Sequence, residues 1–203
     1  MPAAKKLDLY KEHKAEYVTP KTPVIVDVKP AKYLAVTGKG APASADFQNA
    51  IGALYGAAFT IKMAKKFAGQ DYKVCNLEGL WWGSQKTGDF FGEPPETWSW
   101  QLIIRVPDFI KPADLKAAIK QLKAKGRGEH ADRVKLEKIA EGKCVQMLHV
   151  GPYGEEDRTI GQMLEHARAQ GRSFSGRHHE VYLSDPRRVP AERLRTILRH
   201  PVK

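Results

Sequence analysis

Apolar residues in the first half of the chain switch between strand and helix periods. Val24-Ile25-Val26-Asp27-Val28 and Lys32-Tyr33-Leu34-Ala35-Val36-Thr37-Gly38 run or alternate as strands do, and Gly38-Lys39-Gly40 closes the second. After Ser44 or Asp46, either a suitable N-cap, Phe47, Ile51, Leu54, Ala58 and Ile61 recur at helical spacing, which predicts a helix packed on a sheet. Gly52 and Gly56 inside that helix are each about 1 kcal/mol less favourable than Ala, so they point to close approach of backbone or ligand. Val74 to Trp82 and Thr97 to Val106 predict a hairpin joined by the Gly/Pro-rich Gly83 to Glu96. Pro112 to Lys125 forms an amphipathic helix with Leu115, Ile119 and Leu122 on one side, stopped by Gly126-Arg127-Gly128.

The pattern then returns. Lys143 to Val150 predicts a strand ending at Gly151-Pro152, and the acidic Glu155-Glu156-Asp157 opens a helix through Ile160, Met163, Leu164 and Ala167, with carboxylates at the positive end of its dipole. His178-His179-Glu180-Val181-Tyr182-Leu183 follows as a strand whose alternation puts His178, Glu180 and Tyr182 on one face and Val181 and Leu183 on the other. A carboxylate flanked by imidazole and phenol is not favoured by strand propensity, and solvent or a ligand must justify it. Pro190 to His200 reads as helix-like, with Leu194, Ile197 and Leu198. Sliding Trp98 to Pro107 onto Arg177 to Pro186 superposes the two prolines and puts Glu180 on Gln101, which suggests two modules of related pattern around a shared cleft. The expected organisation is a charged arm (1–23), a first module (24–125), a connector (126–142) and a second module (143–203).

Composition narrows the partners. The chain has 203 residues, 42% hydrophobic and 28% charged, as a globular protein does. No apolar run approaches the roughly 20 residues of a membrane span, and the N-terminus lacks the apolar core of a signal peptide, so a cytoplasmic protein with no membrane partner is expected. Cys75 and Cys144 stand alone and read as small buried hydrophobes. The net charge of +11 raises nucleic acid as a partner, and residues from 111 onward hold 20 Lys+Arg against 12 Asp+Glu, compared with 14 against 11 before them. No helix-turn-helix, zinc-finger spacing or stacking motif carries that charge into a groove, so no specific nucleic-acid binding is expected.

Three stretches together resemble the stand-alone GyrI-like small-molecule-binding proteins. They are Tyr33-Leu34-Ala35-Val36-Thr37-Gly38-Lys39-Gly40-Ala41-Pro42, Leu77-Glu78-Gly79-Leu80-Trp81-Trp82, and above all His178 to Arg188 with the closing Leu194 to Val202. The resemblance implies an α+β fold of two tandem SHS2-like β-α-β-β modules with pseudo-twofold symmetry around a central cleft. It implies that Glu180 faces a cleft lined by aromatics that takes planar aromatic or cationic ligands. Some stand-alone members hydrolyse the cyclopropane of DNA-alkylating natural products, which would make this chain a cyclopropanoid cyclopropyl hydrolase. Others are effector-binding halves of regulators, and the founding member protects DNA gyrase, so a non-catalytic drug-sequestering module, with a protein partner such as gyrase, is the alternative.

The candidate site follows from these readings. Glu180 could orient and deprotonate a water while a phenol such as Tyr55, Tyr153 or Tyr182 steadies the oxyanion; Glu180, Tyr153 and Tyr182 are the expected catalytic residues. Trp81, Trp82, Glu78, Tyr55, Gln101 and His178 are the expected ligand-binding residues. Parity assigns Trp98 and Trp100 to the core with Leu102 and Ile104, and lets at most one of Trp81 and Trp82 face the cleft. No cofactor and no metal are expected: His178 and His179 point oppositely and no third ligand is apparent. Gly151-Pro152-Tyr153-Gly154 lacks the Lys-Ser/Thr of a phosphate loop and reads as a turn delivering Tyr153.

Overall fold

The computed structural model describes residues 6–83 and 92–203; most of the predicted Gly83 to Glu96 connection therefore lies outside the described residues. The chain forms helices α1 (Leu9–Glu12), α2 (Ala45–Phe67), α3 (Pro112–Ala124) and α4 (Asp157–Ala169). Its strands are β1 (Val24–Val28), β2 (Ala31–Lys39), β3 (Glu78–Trp82), β4 (Ser99–Val106), β5 (Lys135–Ile139), β6 (Gly142–Val150), β7 (His178–Tyr182) and β8 (Arg195–Pro201). All eight join in one antiparallel sheet of order β1-β6-β8-β7-β3-β4-β2-β5. The fold is α+β.

That order reads the same from either end. The unit β2-α2-β3-β4 and the unit β6-α4-β7-β8 occupy mirrored places, with β5 and β1 outermost and β3 and β7 meeting at the centre. This corrects the sequence alignment of the two modules. The counterpart of β7 is β3, and that of β4 is β8, so Glu180 is not the equivalent of Gln101. It also corrects Pro190 to His200, which holds a 3₁₀ turn and then β8. Thr196 to His200 are all buried, because β8 lies between β6 and β7 and is covered on both faces; its apolar residues mimic a helical stripe. The connector likewise contains β5, whose charged alternation is that of an edge strand.

Two connections show that the sheet curls. Only two residues separate β1 from β2, and two separate β5 from β6, yet each pair lies six places apart in the sheet. A flat sheet would put those strands about 29 Å apart at the usual spacing, beyond the reach of so short a link. The curl gives an outer face that carries α2 and α4 and an inner face filled by smaller clusters around Tyr33, Leu80 and Ile103 and around Val26, Val28 and Cys144. On the outer face α2 buries Phe47, Leu54, Ala58 and Ile61 against Leu34, Val36, Trp100, Leu102 and Ile104, and α4 buries Met163 and Ala167 against Val145, Met147 and Leu198. Gly38 is required here, since a Cβ would lie 2.2 Å from the Trp100 ring. Gly52 and Gly56 have no such duty: a Cβ at Gly52 meets nothing within 4 Å, and one at Gly56 meets Leu122 at an ordinary 3.7 Å.

Within the described part of the N-terminal arm, Leu7, Leu9 and Tyr10 pack against the α2 cluster, and Glu16, Tyr17 and Val18 plug the inner face. Glu16, in a 3₁₀ turn, is buried and receives Arg105 Nη1 at 2.7 Å, while its carbonyl accepts from Arg199 Nη2.

Candidate functional site

The outer face at the centre of the sheet, between α2 and α4, carries polar side chains. Register puts Gly79 opposite Glu180 and Trp81 opposite His178, while Leu198 and Thr196 of β8 stand opposite Glu180 and Tyr182. His178, Glu180 and Tyr182 therefore share this face, as the alternation predicts. His178 is fully buried and Glu180 is 7% exposed, with His178 Nε2 3.5 Å from Glu180 Oε1. Tyr182 hydrogen-bonds Glu180 and accepts from Trp81 Nε1 at 3.2 Å. Gly79 leaves the room this needs, since a Cβ there would stand 2.7 Å from the Tyr182 hydroxyl and 2.9 Å from Trp81 Nε1.

Two further groups arrive from the segment that opens α4. Tyr153 sits in a 3₁₀ turn, 38% exposed, with its ring edge-on to Tyr182 at 5.8 Å. Glu156, which caps α4, is buried, and its Oε1 has no hydrogen-bond partner among the described residues. Donor atoms of Glu156, His178 and Glu180 all lie within 4.8 Å of one another. Burial, then the neighbouring Glu180 and Asp157, push the Glu156 carboxyl well above the usual carboxylate range, so it retains a proton where an ordinary glutamate has lost it. Three such groups at this spacing could also hold a cation, which would displace the Glu156 proton; with that proton in place the cluster is an acid pair. Burial, then Glu180, raises the Tyr153 phenol to about 12 and holds the Tyr182 phenol well above its ordinary value, so both rings are neutral at physiological pH. Behind His178 stands His200, stacked on Phe174 at 4.0 Å and held down to about 4 by burial and by His178.

Other expected site residues are not brought to Glu180. Glu78, Trp82 and Gln101 have the opposite parity and face the inner side. Glu78 is fully buried, accepting from Tyr17 at 3.3 Å and paired with His179 at 3.0 Å. Gln101 is bound to Thr37, Glu137 and Arg177, and the Arg177 guanidinium lies 3.9 Å over the Trp82 ring. Of the two adjacent tryptophans it is Trp81 that shares the Glu180 face, 3% exposed and stacked on Phe47 at 5.5 Å. Tyr55 lies along α2, held by the Leu77 backbone and stacked on Phe59 at 6.0 Å. Sequence reasoning missed Glu156, because an acidic residue at a helix start is explained by the dipole alone. Two described cavities lie elsewhere: one of about 190 Å³ beside Gly52 and Arg127, and one of about 440 Å³ under the arm beside Leu9 and Phe109.

A family model described as GyrI-like small molecule binding domain matches residues 21–203. The chain belongs to the GyrI-like family. Solved structures similar to this GyrI-like protein include an uncharacterized conserved protein from Listeria innocua, 38% identical with a TM-score of 0.91, the match covering 98% of this chain and 100% of that one. A hydrolase from Listeria innocua is 36% identical with a TM-score of 0.87 over the same shares of the two chains. The C-terminal domain of EcmrR, at 11% identity and a TM-score of 0.57, covers 90% of this chain and 97% of its own, and shares the fold alone. No protein with a curated description matches this GyrI-like chain.

Proposed function

We propose that this GyrI-like protein binds flat apolar or cationic small molecules beside Trp81, Tyr153 and Tyr182, and hydrolyses a cyclopropane conjugated to a dienone, the reactive group of DNA-alkylating natural products. The observation that carries this reading is the burial of two carboxyl groups side by side, with Glu156 holding a proton beside Glu180 and two neutral phenols. Adding water across a carbon–carbon bond needs a base and an acid in one place, and two carboxyls in unlike environments supply them. Glu180 orients a water and takes one of its protons as the oxygen attacks the ring carbon. The strained C–C bond breaks, and its electron pair passes through the dienone to the carbonyl oxygen. Tyr153 donates a hydrogen bond to that developing oxyanion, while Tyr182 orients Glu180, and Glu156 delivers the proton that makes the oxyanion a phenol. The new hydroxyl stays on carbon, and proton transfer from Glu180 to Glu156 restores the pair.

The Listeria relatives named as hydrolases, at 36% and 37% identity, support hydrolysis without specifying the bond. Sequestration without turnover is the second reading, favoured by the binding description of the family and served by the same carboxylate beside aromatic faces. Incubation with a cyclopropyl-dienone alkylator, followed by mass spectrometry, separates the two. Hydrolysis gives many equivalents of the water adduct per protein; a one-to-one end point with intact ligand recovered leaves only the binder.

A further inference from the structure

Tyr153 and Glu156 come to Glu180 from outside the central strands, and one imidazole spans the segment that carries both. His149, near the end of β6 and 4% exposed, places Nε2 3.1 Å from the Pro152 carbonyl oxygen and Nδ1 3.0 Å from the Thr159 hydroxyl. A carbonyl can only accept, so Nε2 bears the hydrogen, and in the neutral ring Nδ1 then accepts from Thr159. Pro152 directly precedes Tyr153, and Thr159 lies in the first turn of α4, itself buried. Between these anchors the backbone is already bonded, from Glu155 N to Pro152 O at 3.0 Å, from Glu156 N to Tyr153 O at 3.3 Å and from Ile160 N to Glu156 O at 2.9 Å. Fixing the two ends therefore fixes the middle. The register is consistent: His149 stands opposite Thr196, and Thr196 opposite Tyr182, so the three lie in one row on the outer face. Gly151, at φ 140°, turns the chain out of β6, and a Cβ there would stand 3.5 Å from His149 Nε2.

We propose that His149 is a positioning residue, which holds the Pro152–Thr159 segment so that Tyr153 and Glu156 meet Glu180. The inference rests on the reading of Glu156, Glu180 and Tyr153 as the reacting and ligand-facing groups. No ligand contact is assigned to His149; it acts through the segment it clamps.

The test uses the full chain and the substitutions His149→Ala, His149→Gln and Thr159→Val, with near-ultraviolet circular dichroism to verify folding. Carbon-detected NMR titration of the Glu156 side chain reads its burial beside Glu180, and turnover of a cyclopropyl-dienone reads the consequence. In His149→Ala and Thr159→Val the Glu156 titration should fall toward that of an ordinary glutamate. With it kcat should drop roughly 10–100-fold, the effect of a displacement of about 1 Å, and KM should change by less than about threefold, as expected when transition-state contacts alone are lost. His149→Gln, which keeps a donor for the Pro152 carbonyl, should recover part of both. Should the alanine variant fail to fold, Thr159→Val, nearly the same shape, carries the test. An unchanged Glu156 titration together with unchanged kcat in a folded variant would overturn the proposal. If the titrations move as expected but the unaltered protein turns nothing over, the hydrolytic reading fails and the positioning role stands.

Discussion

The two faces of the central sheet both bury charge, and they balance it differently. On the inner face three basic groups meet three carboxyl groups: Arg105 with Glu16, and His179 and Arg199 with Glu141, while Glu78 closes the set against His179 and Tyr17. Arg199 also donates to Gln146 at 2.8 Å. The pairing shows in the titrations. Burial alone would raise Glu141, but His179 and Arg199 hold it at about 2; burial alone would lower His179, but Glu141 and Glu78 hold it at about 9. On the outer face Glu156 and Glu180 stand together, and among the described residues no lysine or arginine pairs with either. A matched buried network holds parts in register, whereas a mismatched pair must keep a proton, and a kept proton can be delivered.

The contrast breaks most visibly under substitution. Glu141→Gln or Arg199→Met should lower stability by about 3–5 kcal/mol, since each leaves a buried charge without its partner, and a denaturant midpoint reads this. Glu180→Gln should change the same midpoint by less than about 1 kcal/mol yet reduce turnover roughly 100-fold or more. Equal losses of stability from both faces would erase the distinction.

A second separation comes from pH. His179, raised from 6.5 to about 9, contributes stability that is complete below pH 6.5 and lost as pH climbs through 9. Glu141, lowered from 4.5 to about 2, contributes stability that is complete above pH 4.5 and lost as pH falls through 2. The inner network is thus strongest between pH 4.5 and 6.5. Glu156 has the opposite sign for a carboxyl: its folded value is raised, so its contribution is complete below 4.5 and declines as pH rises. Midpoints measured across this range should decline less steeply on the alkaline side for Glu156→Gln than for the unaltered chain; parallel curves would mean that Glu156 holds no proton. The smallest expected effect belongs to Trp82→Leu. Because Trp82 faces the inner side, its replacement should alter affinity for a planar cationic dye by less than about 0.5 kcal/mol, and a larger loss in a fluorescence titration would return it to the site.

What the chain alone disclosed follows from the range of each signal. Strand alternation is local, so the shared face of His178, Glu180 and Tyr182 could be read directly, as could the opposed parity of Trp81 and Trp82. Helices α2, α3 and α4 followed from apolar spacing and caps, each a matter of a few residues. β8 did not, because a strand covered on both faces loses its alternation, and its buried guanidinium, Arg199, is explained only by Glu16, Glu141 and Gln146 far away in the sequence. The mirrored strand order was similarly out of reach, since nothing within a strand states its neighbour. Glu78 and Gln101 looked like cleft residues for that reason, and their inner-face partners, Glu137, Tyr17 and His179, come from three separate elements. Glu156 met Glu180 only through the turn at Gly151 and the clamp at His149.

An open eight-stranded sheet would present two rows of unpaired backbone donors and acceptors along its margins, a template on which another molecule can add strands. Here the two-residue links from β1 to β2 and from β5 to β6 draw the margins toward each other, and β5 exposes Lys135 and Lys138 along one of them. Together with a net charge of +11, which makes like molecules repel, the tied margins leave little edge for self-templated growth. The connections that bend the sheet therefore also guard the protein against fibrous aggregation, a protection that lengthening either link with flexible residues would weaken.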